Sequence, residues 1–276
     1  MKVAVIGCGT IANTAHIPAY MANEKAEIKY FCDIIPERAE AAVEKYGCGI
    51  AITDYKIALA DPEIEAISVC TPNKVHPLIS IDAMRAGKNV LCEKPFVPTV
   101  EEYDILVSLA ESKGLKLLVF QQSRFANYFL KVKEVIASGE LGRIVHIGIQ
   151  FNGFARRWDW QCCLDLNGGN LANTGPHPLD QALNLLDYYD GMPQVFCHMD
   201  RCNTFGDAED YCKLILKAPN RPIIDLDISS CDAYPAYTYK VEGTRGTLKG
   251  NMAHIDWKYF IPEDFIGRNG SNPYQP

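Results

Sequence analysis

The chain has 276 residues, of which 48% are hydrophobic and 22% are charged, and its formal net charge at pH 7 is -7. This length provides for one large domain or two ordinary ones with substantial cores. The acidic balance argues against a role on nucleic acid or on a membrane surface, and no apolar run approaches the roughly 18 residues that a membrane-spanning helix needs.

The start of the chain and its cysteines predict an environment that keeps thiols reduced. The N-terminal segment has one early lysine and then a glycine turn, without the long apolar stretch or the cleavage site of a secretory signal. The 11 cysteines are scattered, which does not suggest a disulfide framework. A metal site built from Cys202, Cys212 and His198 is the less favoured alternative, because alternating strand positions suit packing roles better. We therefore expect a cytoplasmic protein without a metal centre.

The first part of the chain alternates between short β-branched runs and amphipathic helical stretches. Strands are predicted at 3–6, 28–31, 49–53, 66–70, 89–92 and 116–120. Helices are predicted at 11–23, 36–46, 74–86 and 99–113, with Thr99 as a start signal and Gly47 as a stop signal. Continuously apolar strands that alternate with helices are typical of an α/β fold with a parallel sheet covered on both faces. Right-handed crossovers then favour a doubly wound, Rossmann-type sheet.

After residue 121 the pattern changes to long strands with few helices. Strands are predicted at 143–151, 195–200, 211–218, 223–229 and 237–243, with a hairpin-like turn after the last of them. Helices are predicted at 127–138 and 178–189. This pattern favours an α+β domain with a mostly antiparallel open sheet. We therefore predict a dinucleotide-binding domain at 1–121 and a substrate-binding and oligomerisation domain at 122–276.

A glycine-rich turn follows the first predicted strand. It has the spacing Gly7-x-Gly9-x-x-Ala12, in which the first glycine permits a tight turn and the second lets the backbone approach a pyrophosphate. Thr10 and Ile11 begin the next helix, whose free N–H groups and partial positive charge suit phosphates. The alternative is a helix-packing turn without a ligand.

Asp33 and Arg38 bear on the choice of dinucleotide. Asp33 ends the second predicted strand, where a carboxylate can bind ribose hydroxyls and repel a 2′-phosphate. The alternative role for Asp33 is a cap on the helix that follows it. Arg38 can stack on adenine or meet a 2′-phosphate. On balance the sequence predicts NAD, with NADP less favoured.

Three motifs, in order, resemble the glucose-fructose oxidoreductase/inositol dehydrogenase/rhizopine catabolism (Gfo/Idh/MocA) family. They are "TPN" at 71–73 with His76, "EKP" at 93–95, and "GGNLANTGPHPLDQALNLL" at 168–186. The segment 123–147 also looks like the bridge between the domains of this family. The resemblance implies an NAD(P)-dependent oxidoreductase that acts on sugars or cyclitols. It also extends the expected cofactor contacts to Thr71, Asn73, His76, Glu93 and Lys94.

The "EKP" turn supplies the first candidate catalytic residue. A lysine at the end of the fifth strand is delivered to the cofactor edge of an open α/β sheet. By resemblance, Lys94 contacts the substrate hydroxyl and helps to move or stabilise its proton. Glu93 can orient or balance that charge, and Pro95 fixes the turn. The alternative is a surface ion pair at a strand end.

His177 is the second candidate catalytic residue. It matches the catalytic histidine of the family, and histidine suits proton transfer because its ordinary pKa lies near working pH. Asp180 follows on the same helical face and can bind substrate hydroxyls. Several family members have an aspartate where this chain has Asn173, which can position substrate but cannot exchange a proton. The alternative for His177 is a helix cap or a satisfied core histidine.

Two further positions are candidate substrate contacts. Trp158 lies in an aromatic- and arginine-rich loop at 151–163 that suits a carbohydrate ring, although it can equally be packed on the sheet. Arg124 follows the sixth predicted strand and can also reach the substrate.

The leading function is therefore hydride transfer between a secondary hydroxyl of a sugar, polyol or sugar derivative and a nicotinamide. One alternative is redox-neutral, NAD-dependent glycoside cleavage, and another is a non-catalytic NAD-binding protein. Family members commonly run further than this chain, whose polar, turn-rich end looks more like a loop than a finished domain. We expect a C-terminally short chain that forms a homodimer or homotetramer through the C-terminal sheet face.

Overall fold

A computed structural model of the chain describes residues 1–187 and 191–261. These residues form two compact units. The first unit contains residues 1–121 and 163–168, and the second contains residues 122–162 and those from 169 onward. The predicted domain boundary near residue 121 did not anticipate that 163–168 packs with the first unit. The last two residues of the predicted helix 178–189 and the predicted terminal loop lie outside the described residues.

The first unit contains a six-stranded parallel sheet in the order β3-β2-β1-β4-β5-β6. Its strands are β1 (Lys2–Ile6), β2 (Glu27–Cys32), β3 (Ile50–Ile52), β4 (Ala66–Val69), β5 (Asn89–Cys92) and β6 (Leu117–Val119). Its helices are α1 (Ile17–Met21), α2 (Pro36–Tyr46), α3 (Tyr55–Ala60), α4 (His76–Arg85) and α5 (Val100–Lys113). The doubly wound Rossmann prediction is confirmed.

Two apolar clusters explain why this sheet forms. One packs around β4, whose four residues are all buried, and the other packs around Phe31 and Ile17. The predicted helix signals also act as expected, since Thr99 caps α5 through the Glu102 N–H and Gly47 ends α2 in the left-handed conformation. The order β2-β1-β4 places the topological switch point between β1 and β4, where open α/β sheets bind ligands.

The first helical region departs from its prediction. In place of one helix at 11–23, a single turn of π-helix at Ala12–His16 runs into the short helix α1. Such turns are rare and often occur at functional sites. The helix α3 was not predicted, although Asp54 caps it through the Lys56 N–H at 2.9 Å.

The second unit contains a seven-stranded sheet in the order β13-β12-β11-β7-β10-β9-β8. Its strands are β7 (Ile144–Asn152), β8 (Gln194–Asp200), β9 (Tyr211–Lys217), β10 (Ile223–Ser229), β11 (Tyr239–Gly243), β12 (Gly246–Gly250) and β13 (Ile255–Tyr259). Its helices are α6 (Asn127–Ala137), α7 (Asn170–Asn173) and α8 (Pro176–Leu185). The sheet is antiparallel except where β10 runs parallel to β7. The predicted α+β domain is confirmed, and the predicted hairpin joins β11 to β12.

One core holds α6 and α8 against this sheet. Phe129 and Val132 of α6 and Leu186 after α8 pack on buried residues of the sheet, among them Ile149 and Tyr239. Every second residue of the central strands faces these helices, as the alternating sequence requires. Helix α8 is therefore fixed on the sheet along the length that carries the candidate histidine.

Three features of the described residues bear on the class of protein. Among the described residues, no helix is long and apolar enough to cross a membrane. The same residues contain no group of three or more histidine, cysteine or acidic side chains that could hold a metal ion. None of the 11 cysteines forms a disulfide.

Candidate functional site

The glycine turn lies at the end of β1, and its two glycines have different surroundings. Gly7 has a φ of +93°, and a Cβ there would lie 2.6 Å from the carbonyl oxygen of Cys70. Gly7 N–H also donates to the Cys32 carbonyl at 2.7 Å, so this residue ties the end of β1 to the end of β2. In contrast, a Cβ at Gly9 would meet no atom within 4 Å. The turn is thus tight at Gly7 and leaves open space at Gly9.

Asp33 lies at the end of β2 and contacts this turn directly. Its Oδ2 accepts from the Cys8 N–H at 2.9 Å, and its Oδ1 accepts from the Ile35 N–H at 3.0 Å. The carboxylate therefore lies beside the glycine turn and holds the backbone before α2, but the alternative role as a helix cap is wrong, because Ile35 is the N-cap of α2 and no side chain caps it. Each oxygen retains acceptor capacity for a ribose hydroxyl. Arg38 is exposed in the first turns of α2.

The turn after β4 joins the turn after β5 through His76. Its Nε2 lies 2.7 Å from the Thr71 carbonyl oxygen and its Nδ1 lies 2.8 Å from the Pro95 carbonyl oxygen. Burial lowers the pKa of His76 below its ordinary value, although both carbonyls oppose this effect. With the ring fully buried, this geometry assigns His76 to holding the two turns together.

Glu93 of the "EKP" turn is paired with a histidine that the sequence analysis did not single out. Its Oε1 lies 2.8 Å from Nε2 of His16, and its Oε2 accepts from the Lys94 N–H at 3.2 Å. Nδ1 of His16 lies 2.9 Å from the Ser68 Oγ, and its ring centroid lies 4.1 Å from that of Phe120, with the two rings tilted by 42°. His16 and Glu93 are only 2% and 4% exposed. The π-helical turn after the glycine turn is thus joined to the segment that carries Lys94, which is half-buried and is linked to the following residue, Pro95, by a cis peptide bond.

Segment 163–168 lies against the turn after β4. Asn73, which is buried, donates from Nδ2 to the Asn167 carbonyl at 2.8 Å. Lys74 and Asp165 form an exposed ion pair at 3.3 Å. Asn73 therefore fixes this segment on the first unit, a role that no local sequence signal predicts.

The residues of the first unit fit a bound dinucleotide. The open space at Gly9 would let a pyrophosphate approach the backbone beside the N–H groups of Thr10 and Ile11, which begin the helical segment. At the switch point, the Thr71 Oγ1 is buried without a hydrogen-bond partner among the described residues, so it can serve a bound group. Gly7, Asp33, Thr71 and Lys94 follow β1, β2, β4 and β5, which are neighbours in the sheet.

In the second unit, Gly169 and Glu209 shape the segment before His177. Gly169 has a φ of +104°, and a Cβ there would collide with the carboxylate of Glu209. The Glu209 Oε1 accepts from the Leu171 N–H at 2.8 Å, which satisfies the start of α7. Asn173, at the end of α7, is half-buried, and its N–H donates to the Gly169 carbonyl at 2.8 Å.

His177 lies in the first turn of α8 and contacts Ser123. Its Nδ1 lies 3.2 Å from the Ser123 Oγ, and the ring is half-buried. Behind it, Gln181 donates from Nε2 to the Ser123 carbonyl at 3.1 Å and accepts from the Tyr239 hydroxyl at 2.6 Å. The sequence analysis did not anticipate Ser123, Gln181 or Tyr239 in this arrangement.

Arg124 and Asp180, both predicted as substrate contacts, are paired with each other. The guanidinium donates from Nε to Asp180 Oδ1 and Oδ2 at 3.0 and 2.8 Å, and from Nη2 to Oδ1 at 2.6 Å. This forked geometry is among the strongest that side chains make. The pair joins the turn after residue 121 to α8 and so supports the helix that carries His177.

The aromatic loop is only partly packed. Trp158 is 85% exposed, which does not match the alternative in which it packs on the sheet. Arg156 stacks on Phe205 at 3.9 Å and donates to the Asn203 carbonyl at 2.8 Å. Arg157 is paired with Asp159 at 2.5 Å. Both arginines thus have partners within the second unit, while the indole of Trp158 is presented to solvent.

A doubly wound parallel sheet with a glycine turn at its switch point and an acid on the next strand defines a dinucleotide-binding domain. Comparison with known proteins narrows this class. A family model described as "Oxidoreductase family, NAD-binding Rossmann fold" matches residues 1–121. The C-terminal domain model of the same family matches residues 129–249. The chain belongs to the Gfo/Idh/MocA oxidoreductase family.

Individual relatives are similar over most of the chain. An uncharacterized oxidoreductase, C115.03 of Schizosaccharomyces pombe, is 34% identical over 264 residues, which cover 90% of this chain and 70% of the relative. The scyllo-inositol 2-dehydrogenase (NADP(+)) IolW of Bacillus subtilis is 29% identical over 197 residues, covering 71% and 53%. The crystal structure of the WlbA dehydrogenase from Bordetella pertussis, in complex with NADH and UDP-GlcNAcA, matches with a TM-score of 0.81 at 25% identity. That match covers 96% of this chain and 79% of WlbA.

Proposed function

We propose that this protein transfers a hydride between a secondary hydroxyl carbon of a sugar, polyol or sugar derivative and NAD. The observation that carries the proposal is the placement of four candidate residues within the first unit. Gly7, Asp33, Thr71 and Lys94 follow the carboxyl ends of four neighbouring strands, the edge at which sheets of this class bind cofactors. A lysine at this edge supports hydroxyl oxidation, because its ammonium can stabilise the substrate oxygen as the proton leaves.

NAD, when bound, supplies the hydride acceptor at nicotinamide C4. The chain supplies binding and proton transfer. Asp33 accepts hydrogen bonds from the ribose, and the turn at Gly9 holds the pyrophosphate. His177 takes the hydroxyl proton as a general base, and the Lys94 ammonium stabilises the oxygen that loses it. Asn173 positions the substrate through its amide.

The preference for NAD over NADP rests on Asp33 and on its neighbour. A 2′-phosphate would meet the Asp33 carboxylate, and Ile34, which is 88% exposed, offers it no charge or hydrogen bond. Arg38 opposes this preference, because its guanidinium, in the first turns of α2, can meet a 2′-phosphate. The similar protein IolW is named for NADP(+), whereas Asp33 supports NAD for this chain.

The carbohydrate-like substrate class has two supports. The names of similar proteins include a cyclitol dehydrogenase and a dehydrogenase in complex with UDP-GlcNAcA. In this chain, the exposed face of Trp158 suits the apolar face of a sugar ring. Asp180 and Arg124, being paired, serve the substrate indirectly by supporting α8.

We infer that the chain forms a homodimer or homotetramer through its second sheet. The edge strand β8 is exposed along all seven residues, and Val195 and Phe196 are among its exposed apolar side chains. Exposed apolar side chains on the face of this sheet favour association with another copy through that face. Light scattering coupled to size exclusion tests this inference, and the mass of a single chain would contradict it.

The function is tested by mixing the protein and NAD with a panel of sugars, inositols and glycosides while NADH absorbance is recorded. We expect NADH with one substrate class and none with His177→Ala. Binding of NAD without NADH, together with cleavage of a glycoside in the panel, would replace this proposal with redox-neutral glycoside cleavage. Binding of NAD without any product would favour a non-catalytic NAD-binding protein.

A further inference from the structure

Ser123 contacts the helix of His177 through two of its atoms. It lies in the short 3-10 turn Gln122–Phe125 and is 5% exposed. Its Oγ lies 3.2 Å from Nδ1 of His177, and its carbonyl oxygen accepts from the Gln181 Nε2 at 3.1 Å. Since His177 and Gln181 are four residues apart on α8, they lie on one face of the helix, and Ser123 contacts both.

Gln181 and Tyr239 fix Ser123 from behind. The Gln181 side chain is fully buried, and its Oε1 accepts from the Tyr239 hydroxyl at 2.6 Å. Tyr239 is itself fully buried in β11, where its ring lies 6.0 and 6.5 Å from the rings of Tyr128 and Phe129. A hydroxyl–amide–carbonyl chain anchored in a packed core gives Ser123 a defined position.

The direction of the hydrogen bond to His177 decides which ring nitrogen is basic. If the Ser123 Oγ accepts from Nδ1–H, then Nε2 retains the lone pair that can take a proton. After that transfer, Nδ1–H still donates to the same oxygen, so one contact serves both charge states of the ring. In the other tautomer, Nε2 already carries the proton and cannot act as a base.

We propose that Ser123 is a positioning residue for His177, whose hydroxyl accepts the proton on Nδ1 and so fixes Nε2 as the basic atom. The orientation of the His177 ring is argued from contacts within the second unit, independently of the proposed function. The statement that Nε2 then receives a substrate proton rests on the proposed function. Ser123 acts through His177 and needs no contact of its own with the substrate.

The tautomer is measured first, because it requires no substrate. The full chain is labelled with nitrogen-15 histidine, and long-range proton–nitrogen spectra are recorded at a pH where the ring is neutral. His177→Gln identifies the signals of His177 among the six histidines by their loss. We expect the proton on Nδ1 in the wild type and in Ser123→Thr, and a shift toward Nε2 in Ser123→Ala. A proton on Nε2 in the wild type, or no difference in Ser123→Ala, would overturn the proposal.

Ser229→Ala provides the matched control. Ser229 is 7% exposed in the same unit, and its Oγ contacts the Cys231 thiol at 3.6 Å. This variant removes the same atom at similar burial, so it should leave the His177 signals unchanged. An equal shift in Ser229→Ala would show that loosening of the unit, and not loss of the acceptor, moves the proton.

Turnover then tests the catalytic consequence. With the substrate found in the panel, we expect Ser123→Ala to lower kcat roughly 10- to 100-fold, as for other partners that orient a functional histidine. KM and the Kd for NAD should stay near their wild-type values, and Ser123→Thr should recover most of kcat. A loss confined to KM would overturn the proposal. If the wild type oxidises no substrate, the proposed function fails, while the tautomer measurement still decides the role of Ser123.

Discussion

The two units hold their candidate catalytic residues with different physical chemistry. In the first unit, Lys94 follows Glu93, a buried carboxylate whose partner is the buried imidazole of His16. In the second unit, His177 is held by the neutral hydroxyl of Ser123, which is backed by a neutral amide and phenol. A buried ionisable pair is costly when either partner is lost, whereas a neutral network loses single hydrogen bonds. Loss of the first arrangement should therefore mainly lower the free energy of unfolding, whereas loss of the second should mainly lower kcat.

The largest effect is expected at His177. His177→Ala removes the general base, so kcat should fall by roughly 10²- to 10⁴-fold, while the Kd for NAD should hardly change because the cofactor groups lie in the first unit. Steady-state kinetics and a calorimetric NAD titration measure the two quantities. His198→Ala, an exposed position on β8, is the control. Weakened NAD binding in His177→Ala would contradict the assignment of the cofactor groups to the first unit and of the general base to the second.

Removal of His16 should mainly affect stability. His16→Leu leaves the Glu93 carboxylate buried without its partner, so the free energy of unfolding should fall by about 3–5 kcal/mol. Urea unfolding followed by circular dichroism measures the loss. The double variant His16→Leu/Glu93→Leu removes both groups and should recover much of it. If the double variant is as unstable as the sum of both single variants, the two side chains are not energetically coupled.

Changes at Asp33 should mainly affect the binding of the dinucleotide. Asp33→Ala removes a charged acceptor of ribose hydroxyls, so the Kd for NAD should rise by roughly 10- to 100-fold. The same variant should narrow the difference between NAD and NADP, which parallel titrations with the two dinucleotides reveal. Asp33→Asn retains an acceptor near the Cys8 N–H and should show a smaller loss. An unchanged Kd in Asp33→Ala would remove Asp33 from the cofactor site.

A milder loss of stability is expected in the neutral network. Tyr239→Phe removes only the hydroxyl that donates to Gln181, so the free energy of unfolding should fall by about 1–3 kcal/mol. The same urea experiment places this value beside that of His16→Leu. A loss as large as the one in His16→Leu would contradict the contrast between the two units.

The smallest effect concerns pH. Burial lowers the pKa of His76 in the folded chain, so the unfolded state takes up its proton first as the pH falls. This histidine therefore lowers the free energy of unfolding as the pH drops below about 6.5, its ordinary pKa, until the folded-state pKa is also passed. His76→Gln should have a shallower dependence in urea unfolding over this range. Equal slopes for the two proteins would contradict the shift.

The sequence predicted those features whose signals lie in residues close together along the chain. The strand–helix alternation, the caps at Thr99 and Gly47 and the turn at Gly7 all have local signals, and all were predicted. Helix α3 was missed because six residues show little periodicity, although its Asp54 cap was visible. The short strand β13 was missed for a similar reason, since only five residues carry its pattern.

Pairing between distant residues could not be predicted in this way. His16 and Glu93 are 77 positions apart, and Ser123 and His177 are 54 apart, so no spacing rule connects them. The same holds for Arg124 and Asp180, each of which looked like an independent substrate contact. The motifs located the candidate groups, but the partners that orient them come from the tertiary fold. The catalytic and binding roles of these residues stay predictions, which kinetic measurements test.

Transfer of a labelled hydride tests the central claim most directly. The protein and NAD are incubated with sugars and inositols that carry deuterium at their secondary carbinol carbons, and the mass of the nicotinamide product is measured. The account predicts that one substrate class yields a reduced cofactor containing the deuterium, and that His177→Ala yields none. Consumption of a substrate without deuterium in the cofactor would contradict hydride transfer to NAD as the function of this protein.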